Sequence, residues 1–181
     1  MTPFNSRIHR RRSMRLQGYD YAQPGAYFIT LVTFQRKEFF GSIVNGIIRL
    51  SSLGQIASDE WQRSTELRPE IRLYLDEYVI MPNHIHGIVW IVPTAVRIDV
   101  VDPNQANPEQ CHPHRLPRSL SSFIAGYKSS VTSRASRELN MKIIWQRNYY
   151  DHIIRSEKEF LNIWNYIDAN PQKWMEDQLH S

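Results

Sequence analysis

Residues 79–91, VIMPNHIHGIVWI, form an apolar run of strand length, broken by Pro82-Asn83 and by two histidines two positions apart. A short continuous apolar run of this kind belongs to a strand covered on both faces. Side chains at i and i+2 of a strand point to the same side, so His84 and His86 project together. Ile85, Val89 and Ile91 then pack on the opposite side as core. Along the strand the two imidazoles stand roughly 6–7 Å apart, close enough for their nitrogens to converge on one ion. Two half-buried histidines bonded to backbone or water would satisfy the same letters.

The rest of the chain supplies elements to pack around that strand. GAYFITLVTF is rich in β-branched and aromatic residues and predicts a strand from about Tyr27 to Phe34. Asn45-Gly46, between two short apolar runs, predicts a hairpin turn. Leu53, Ile56, Ala57 and Trp61 have helical spacing, and Pro69 stops that helix. IRLYLDEYVIM and HIHGIVWIV read as two strands joined across Pro82-Asn83. Leu120, Phe123, Ile124, Tyr127 and Val131 form one stripe of a helix whose other face carries Lys128, Arg134 and Arg137. IIWQRNYYDHIIR returns to strand character, and Ser156 with Glu159 opens a last helix that Pro171 ends. Apart from the small hairpin, the order is β-α-β-β-α-β plus a closing helix. That predicts an α+β, ferredoxin-like antiparallel sheet with helices on one face and an open face for a site or for nucleic acid.

Charge locates a second feature. Residues 7–15, RIHRRRSMR, hold five arginines and no acid; removing those five from the 22 basic residues leaves 17 against 18 acids. The basicity is therefore an N-terminal arm, residues 1–22, ahead of a domain spanning 23–181. Such an arm suits a phosphate backbone, where each neutralised phosphate releases a counterion; a solvated, frayed terminus is the plainer reading. Residues 93–117 hold five of the ten prolines and read as a long loop. Cys111, His112 and His114 fall in it, but three donors in four residues around Pro113 match no closed zinc spacing. No apolar stretch approaches the ~20 residues that span a bilayer, and the N-terminus lacks the apolar region of a secretory signal. A single cysteine rules out an internal disulfide and suits a reducing cytoplasm.

MPNHIHGIV resembles the His-hydrophobic-His motif of the single-tyrosine HUH transposases. RRSMRLQGYDYAQPGAYFITLVTF, SLSSFIAGYKSS, IWQRNYYDHIIRSEKEF and YIDANPQKW, in that order, resemble one bacterial branch, the REP-associated tyrosine transposases. The resemblance covers nearly the whole chain except the proline-rich loop. It implies a ferredoxin-like sheet with metal-bound His84 and His86 on a central strand, and a nucleophilic tyrosine, Tyr166, on a late helix. It also implies a polar ligand four residues on, Asn170. Insertion-sequence relatives carry a glutamine there, one methylene longer, which leaves His152 as the alternative third ligand. At about 100° per residue, positions 166 and 170 lie about 40° apart, beside the stripe of Phe160, Trp164 and Ile167. By residue type alone Tyr166 equally suits a helix-edge tyrosine, and Tyr149 and Tyr150 beside His152 are rival nucleophiles.

The implied activity is metal-dependent cleavage and rejoining of single-stranded DNA at REP-type hairpins, through a 5′-phosphotyrosine and with Mg²⁺ or Mn²⁺ as cofactor. The implied locale is the bacterial cytoplasm, with no membrane partner, as monomer or homodimer. Arg10, Arg11, Arg12 and Arg15 are the expected backbone contacts, with Lys128, Arg134 and Arg147 as further candidates. Tyr19 and Tyr21 are candidates for base stacking or for packing the arm onto the domain. The competing readings are a DNA-binding domain of the same fold that cuts nothing, and a hydrolase using metal-activated water.

Overall fold

The computed structural model describes residues 18–93, 118–176 and 179. The strand expected near Tyr27–Phe34 is β1, Gly25–Val32, and the run that carries the two histidines is β6, His84–Ile91. They pair antiparallel along their full length, Gly25 opposite Ile91 and Val32 opposite His84. Nearly every residue of both strands is buried, which is why neither shows the polar alternation of a half-exposed strand. The expected hairpin is β2, Gly41–Val44, and β3, Ile47–Leu50. Asn45 and Gly46 both take positive φ (53° and 73°) between them, as a tight two-residue turn requires.

Helix α1, Ser52–Leu67, is capped by the Ser51 side chain and ends at an extended Arg68, the conformation that a following proline imposes. Helix α2, Leu120–Leu139, is capped by Ser119 and closes on a left-handed Asn140. The two helices pack together over one face of the sheet, around Tyr27, Ile29, Leu31, Ile85, Val89 and Ile91. Arg134 joins them through Asp59 at 2.9 Å, and the Tyr127 hydroxyl donates to the Ala57 carbonyl at 2.9 Å.

Two expected strands are shorter than their sequences suggest. Residues 71–81 split into β4, Ile71–Arg72, and β5, Tyr78–Ile80, both paired to β6. Six positions separate Arg72 from Tyr78 where β6 supplies three, Trp90 to Gly87. The surplus turns outward at Tyr74–Asp76 while Glu77 is pulled back, its carboxylate accepting from Trp90 Nε1 at 2.6 Å. Strand β7 covers only Tyr150–Ile154. In the segment before it, the Lys128 ammonium donates to the carbonyls of Gln146 and Asn148, which a ladder would otherwise use. Trp145 makes a lone bridge to Thr33.

With β4 and β5 counted as one interrupted strand, the sheet order is β4/β5-β6-β1-β7, all antiparallel: a ferredoxin-like sheet. Helix α3, Glu157–Ala169, lies on the face opposite α1 and α2. Its Ile167, with Phe160 and Ile163, packs on Ala26, Phe28 and Ile88. The face expected to stay open is thus partly roofed, and by the helix that carries Tyr166. Among the described residues no helix is long and apolar enough to cross a membrane.

At Gly87 the site strand lies close against Trp61 of α1. A Cβ there would stand 2.7 and 2.8 Å from Trp61 ring atoms and 3.2 Å from Tyr78 Cβ. Trp61 cannot retreat, being fully buried between Tyr78, Phe123 and Tyr127. Gly87→Ala is expected to cost about 1–3 kcal/mol, read as a lower urea midpoint with an unchanged slope.

Candidate active site

His84 and His86 face the α3 side of the sheet, and their rings lie 4.4 Å apart between centroids. That is closer than the spacing along the strand, because the side chains lean together. Both are buried. The Asn83 side chain fixes the state of the first. Its Nδ2 donates to the Leu179 carbonyl at 2.7 Å, which leaves Oδ1 as the acceptor facing His84 Nδ1, also at 2.7 Å. An amide oxygen only accepts, so His84 carries its proton on Nδ1 and keeps its lone pair on Nε2. That Nε2 is buried and makes no hydrogen bond.

The second histidine has a partner at each ring nitrogen. His86 Nδ1 lies 2.9 Å from Thr30 Oγ1, its cross-strand neighbour, and His86 Nε2 lies 3.1 Å from the Tyr166 hydroxyl. Both partners are hydroxyls that donate or accept according to the ring tautomer; in the Nδ1–H tautomer the phenol O–H donates into the Nε2 lone pair. Burial first, then the repulsion that protonating both His84 and His86 would bring, pushes the His86 pKa well below the ordinary histidine range and favours the neutral ring. Phe28 stacks on His86 at 5.3 Å and meets the Tyr166 ring edge-on at 6.1 Å. The Trp174 ring, from the turn after α3, covers His84 at 5.9 Å.

Helix α3 delivers Tyr166 because Ser156 and Glu159 fix its start. Ser156 Oγ accepts from the Glu159 backbone N–H. The Glu159 carboxylate accepts from the Arg155 N–H at 2.7 Å and meets His152 Nε2 at 2.6 Å. The Arg155 N–H, then His152, lower the Glu159 pKa. One turn after Tyr166, Asn170 is buried at the helix end, and its Oδ1 makes no hydrogen bond. His86, Tyr166 and Asn170 line one cavity of about 600 Å³, with Thr30, Val32, Arg36, Tyr150 and Lys173.

The structure therefore brings together Tyr166, His84, His86 and Asn170. It does not bring His152 to them: that ring is bound to Glu159 at the start of α3, so the alternative third ligand is corrected to a brace between β7 and α3. Two residues expected to contact DNA are engaged with protein groups. Lys128 holds the Gln146 and Asn148 carbonyls and sits 5.5 Å from the Trp145 ring centre, and burial lowers its pKa to about 8. Arg134 is held by Asp59 and Glu138. Arg147 lines a shallow cleft with Lys128 and Trp145, away from Tyr166. Tyr21 is buried, and partly buried Tyr19 packs beside it and Tyr27, so both rings pack against the domain. Arg10, Arg11, Arg12, Arg15, Cys111, His112 and His114 lie outside the described residues.

The candidate donors are the two neighbouring imidazoles and the amide oxygen of Asn170, which lines the cavity of His86 and Tyr166. Among the described residues no group of three His, Cys, Asp or Glu side chains could hold a metal. His84 Nε2 and Asn170 Oδ1 are buried and make no hydrogen bond, and imidazole nitrogens with an amide oxygen are donor types that suit a divalent cation. His86 Nε2 has one lone pair, so it holds either the Tyr166 proton or a cation.

Comparison with known proteins gives three findings. No family model matches the chain. A Haemophilus influenzae protein described as an uncharacterized protein is 39% identical over 179 residues, which cover 99% of this chain and 98% of that protein. A solved structure of a REP-associated tyrosine transposase bound to a REP hairpin is similar in fold, with a TM-score of 0.58 and 19% identity. The match covers 89% of this chain and 74% of that one.

Proposed function

We propose that this chain, which belongs to one family with the Haemophilus influenzae protein and has the fold of the REP-associated tyrosine transposase, is itself a DNA strand transferase. It cuts single-stranded DNA beside a REP-type hairpin, with Tyr166 as nucleophile. The observation that carries this reading is the Tyr166 hydroxyl 3.1 Å from Nε2 of His86, in a cavity that also holds Asn170. All of these groups come from one chain, which supports action as a monomer.

Tyr166 is half-exposed while its ring is braced by Phe28, so the hydroxyl reaches a bound strand from a fixed base. Its oxygen forms a bond to the scissile phosphorus and the 3′ oxygen departs, leaving the DNA 5′ end on the protein. A second strand's 3′-hydroxyl reverses the step, and the bond energy is conserved. His84, His86 and Asn170 would hold Mg²⁺ or Mn²⁺. When bound, the cation supplies charge to offset that on the phosphate. Burial disfavours the charged form of His86, which keeps that imidazole able to donate a lone pair. Incubating the protein with Mn²⁺ and a 3′-end-labelled hairpin oligonucleotide carrying a single-stranded tail tests the reading: label migrates with protein through denaturing gels. A hydrolase would release free 5′-phosphate ends, and a non-cutting binding domain would leave the oligonucleotide intact.

Asn83 gives a subsidiary prediction. Asn83→Leu removes the acceptor that keeps the His84 proton on Nδ1, and Mn²⁺ affinity by electron paramagnetic resonance is expected to fall roughly 10- to 100-fold. Asn83→Asp keeps an acceptor and is expected to retain most of it.

A further inference from the structure

The cavity around Tyr166 extends beyond the groups that the reaction needs, and its far end has its own chemistry. Thr30 of β1 is opposite His86 on one side and Tyr150 on the other, so His86, Thr30 and Tyr150 form one row across three strands. The row spans two strand spacings, roughly 10 Å. Tyr150 lines the cavity at that end, is 40% exposed, and is anchored on Phe28, its ring 6.3 Å away and nearly perpendicular. Phe28 also braces His86 and Tyr166, so the Tyr150 ring is fixed relative to the nucleophile.

The rim adds cations. Arg36 and Lys173 line the same cavity, from the turn after β1 and the turn after α3. Gln35 and Arg36 both have φ of +57°, a left-handed conformation that non-glycine residues avoid. Such strain persists only where the surroundings impose it, and here they do. Thr33 Oγ1 lies 2.7 Å from the Lys37 carbonyl oxygen and 2.9 Å from that of Asn83, while the Phe34 N–H donates to the Ile144 carbonyl. The turn that presents Arg36 is thereby tied to the residue preceding His84.

We propose that this end of the cavity is a subsite for one unpaired nucleotide beside the scissile phosphate, its base stacked on Tyr150 and its phosphate met by Arg36 and Lys173. The subsite rests on the strand-transferase reading for its position relative to the cut. An aromatic ring with two cations around it matches the alternation of base and phosphate in single-stranded DNA, and stacking of this kind tolerates any base. It also gives Tyr150 a task other than that of rival nucleophile.

The test uses the full-length protein in EDTA with two fluorescein-labelled probes, dT12 and a twelve-unit abasic tetrahydrofuran phosphodiester, read by anisotropy. The ratio of the two affinities isolates base stacking from the charge of the basic arm. Tyr150→Ala is expected to cut that ratio by about fivefold or more, and Tyr150→Phe to restore it. Tyr150→Leu, which keeps an apolar contact to Phe28, is expected to lose as much as the alanine variant. Arg36→Gln is expected to weaken both probes alike and to reduce the salt slope by about 0.7. An unchanged ratio in Tyr150→Ala and Tyr150→Leu would overturn the subsite. Since no metal or cleavage enters this measurement, a failed nucleophile assignment leaves the ratio intact, and a failed subsite leaves the Tyr166 adduct intact.

Discussion

Tyr166→Phe is expected to abolish the covalent protein–DNA adduct, at least about 10³-fold below wild type, while hairpin binding persists. The substitution deletes one oxygen and leaves the ring. Ring contacts with Phe28 and His86 at 6.1 and 5.1 Å are retained, while the hydroxyl's hydrogen bond to His86 Nε2 is lost. A half-exposed bond of that kind contributes only about 0.5–1.5 kcal/mol to stability, so unfolding cannot account for lost activity. A gel assay for the adduct and an electrophoretic shift assay for the hairpin separate the two effects. If Tyr166→Phe still forms the adduct at the wild-type rate, Tyr150 is the next residue to examine, because it lines the same cavity.

His86→Ala is expected to lose the adduct to a similar extent by another route. It removes one of the three candidate donors, the partner of the Tyr166 hydroxyl, and the ring that stacks on Phe28. With His84 Nε2 and Asn170 Oδ1 alone, Mn²⁺ affinity is expected to drop about 100-fold or more. The residue is buried, so a void also forms, and stability is expected to fall by about 1–3 kcal/mol. Resonance titration of Mn²⁺ on protein shown to be folded by circular dichroism separates loss of ligation from loss of fold. His152→Ala, at the other end of α3, is expected to leave Mn²⁺ affinity unchanged.

The sequence made the architecture legible where one local rule decided each element. Asn45-Gly46 fixes its hairpin, Pro69 and Pro171 end helices, Ser156 with Glu159 starts one, and the unbroken apolar runs place β1 and β6 at the sheet centre. Interactions that skip along the chain were not legible. The 73–77 bulge depends on Glu77 reaching Trp90, and the shortness of β7 depends on Lys128 reaching carbonyls 18 and 20 residues away. For the same reason Lys128, Arg134 and His152 looked available for DNA or metal and proved to be engaged with protein groups.

At the site, the pair of histidines and the Tyr166–Asn170 turn were readable from spacing and resemblance. The groups that set their chemistry were not. Thr30 is 56 positions from His86, and no periodicity connects them. Asn83 adjoins His84, yet its side chain reads as a turn residue until its bond to Leu179 orients the amide. Arg36 owes its place on the rim to a strained turn, and strain of that kind has no signature in residue type.

Tandem mass spectrometry of the protein after reaction with Mn²⁺ and a hairpin oligonucleotide bearing a single-stranded tail tests the central claim most directly. Following nuclease and protease digestion, the account predicts a nucleotide attached through its 5′ phosphate to the Tyr166 oxygen. A nucleotide on Tyr149 or Tyr150, or cleaved DNA with free 5′-phosphate ends and an unmodified Tyr166 peptide, would contradict it.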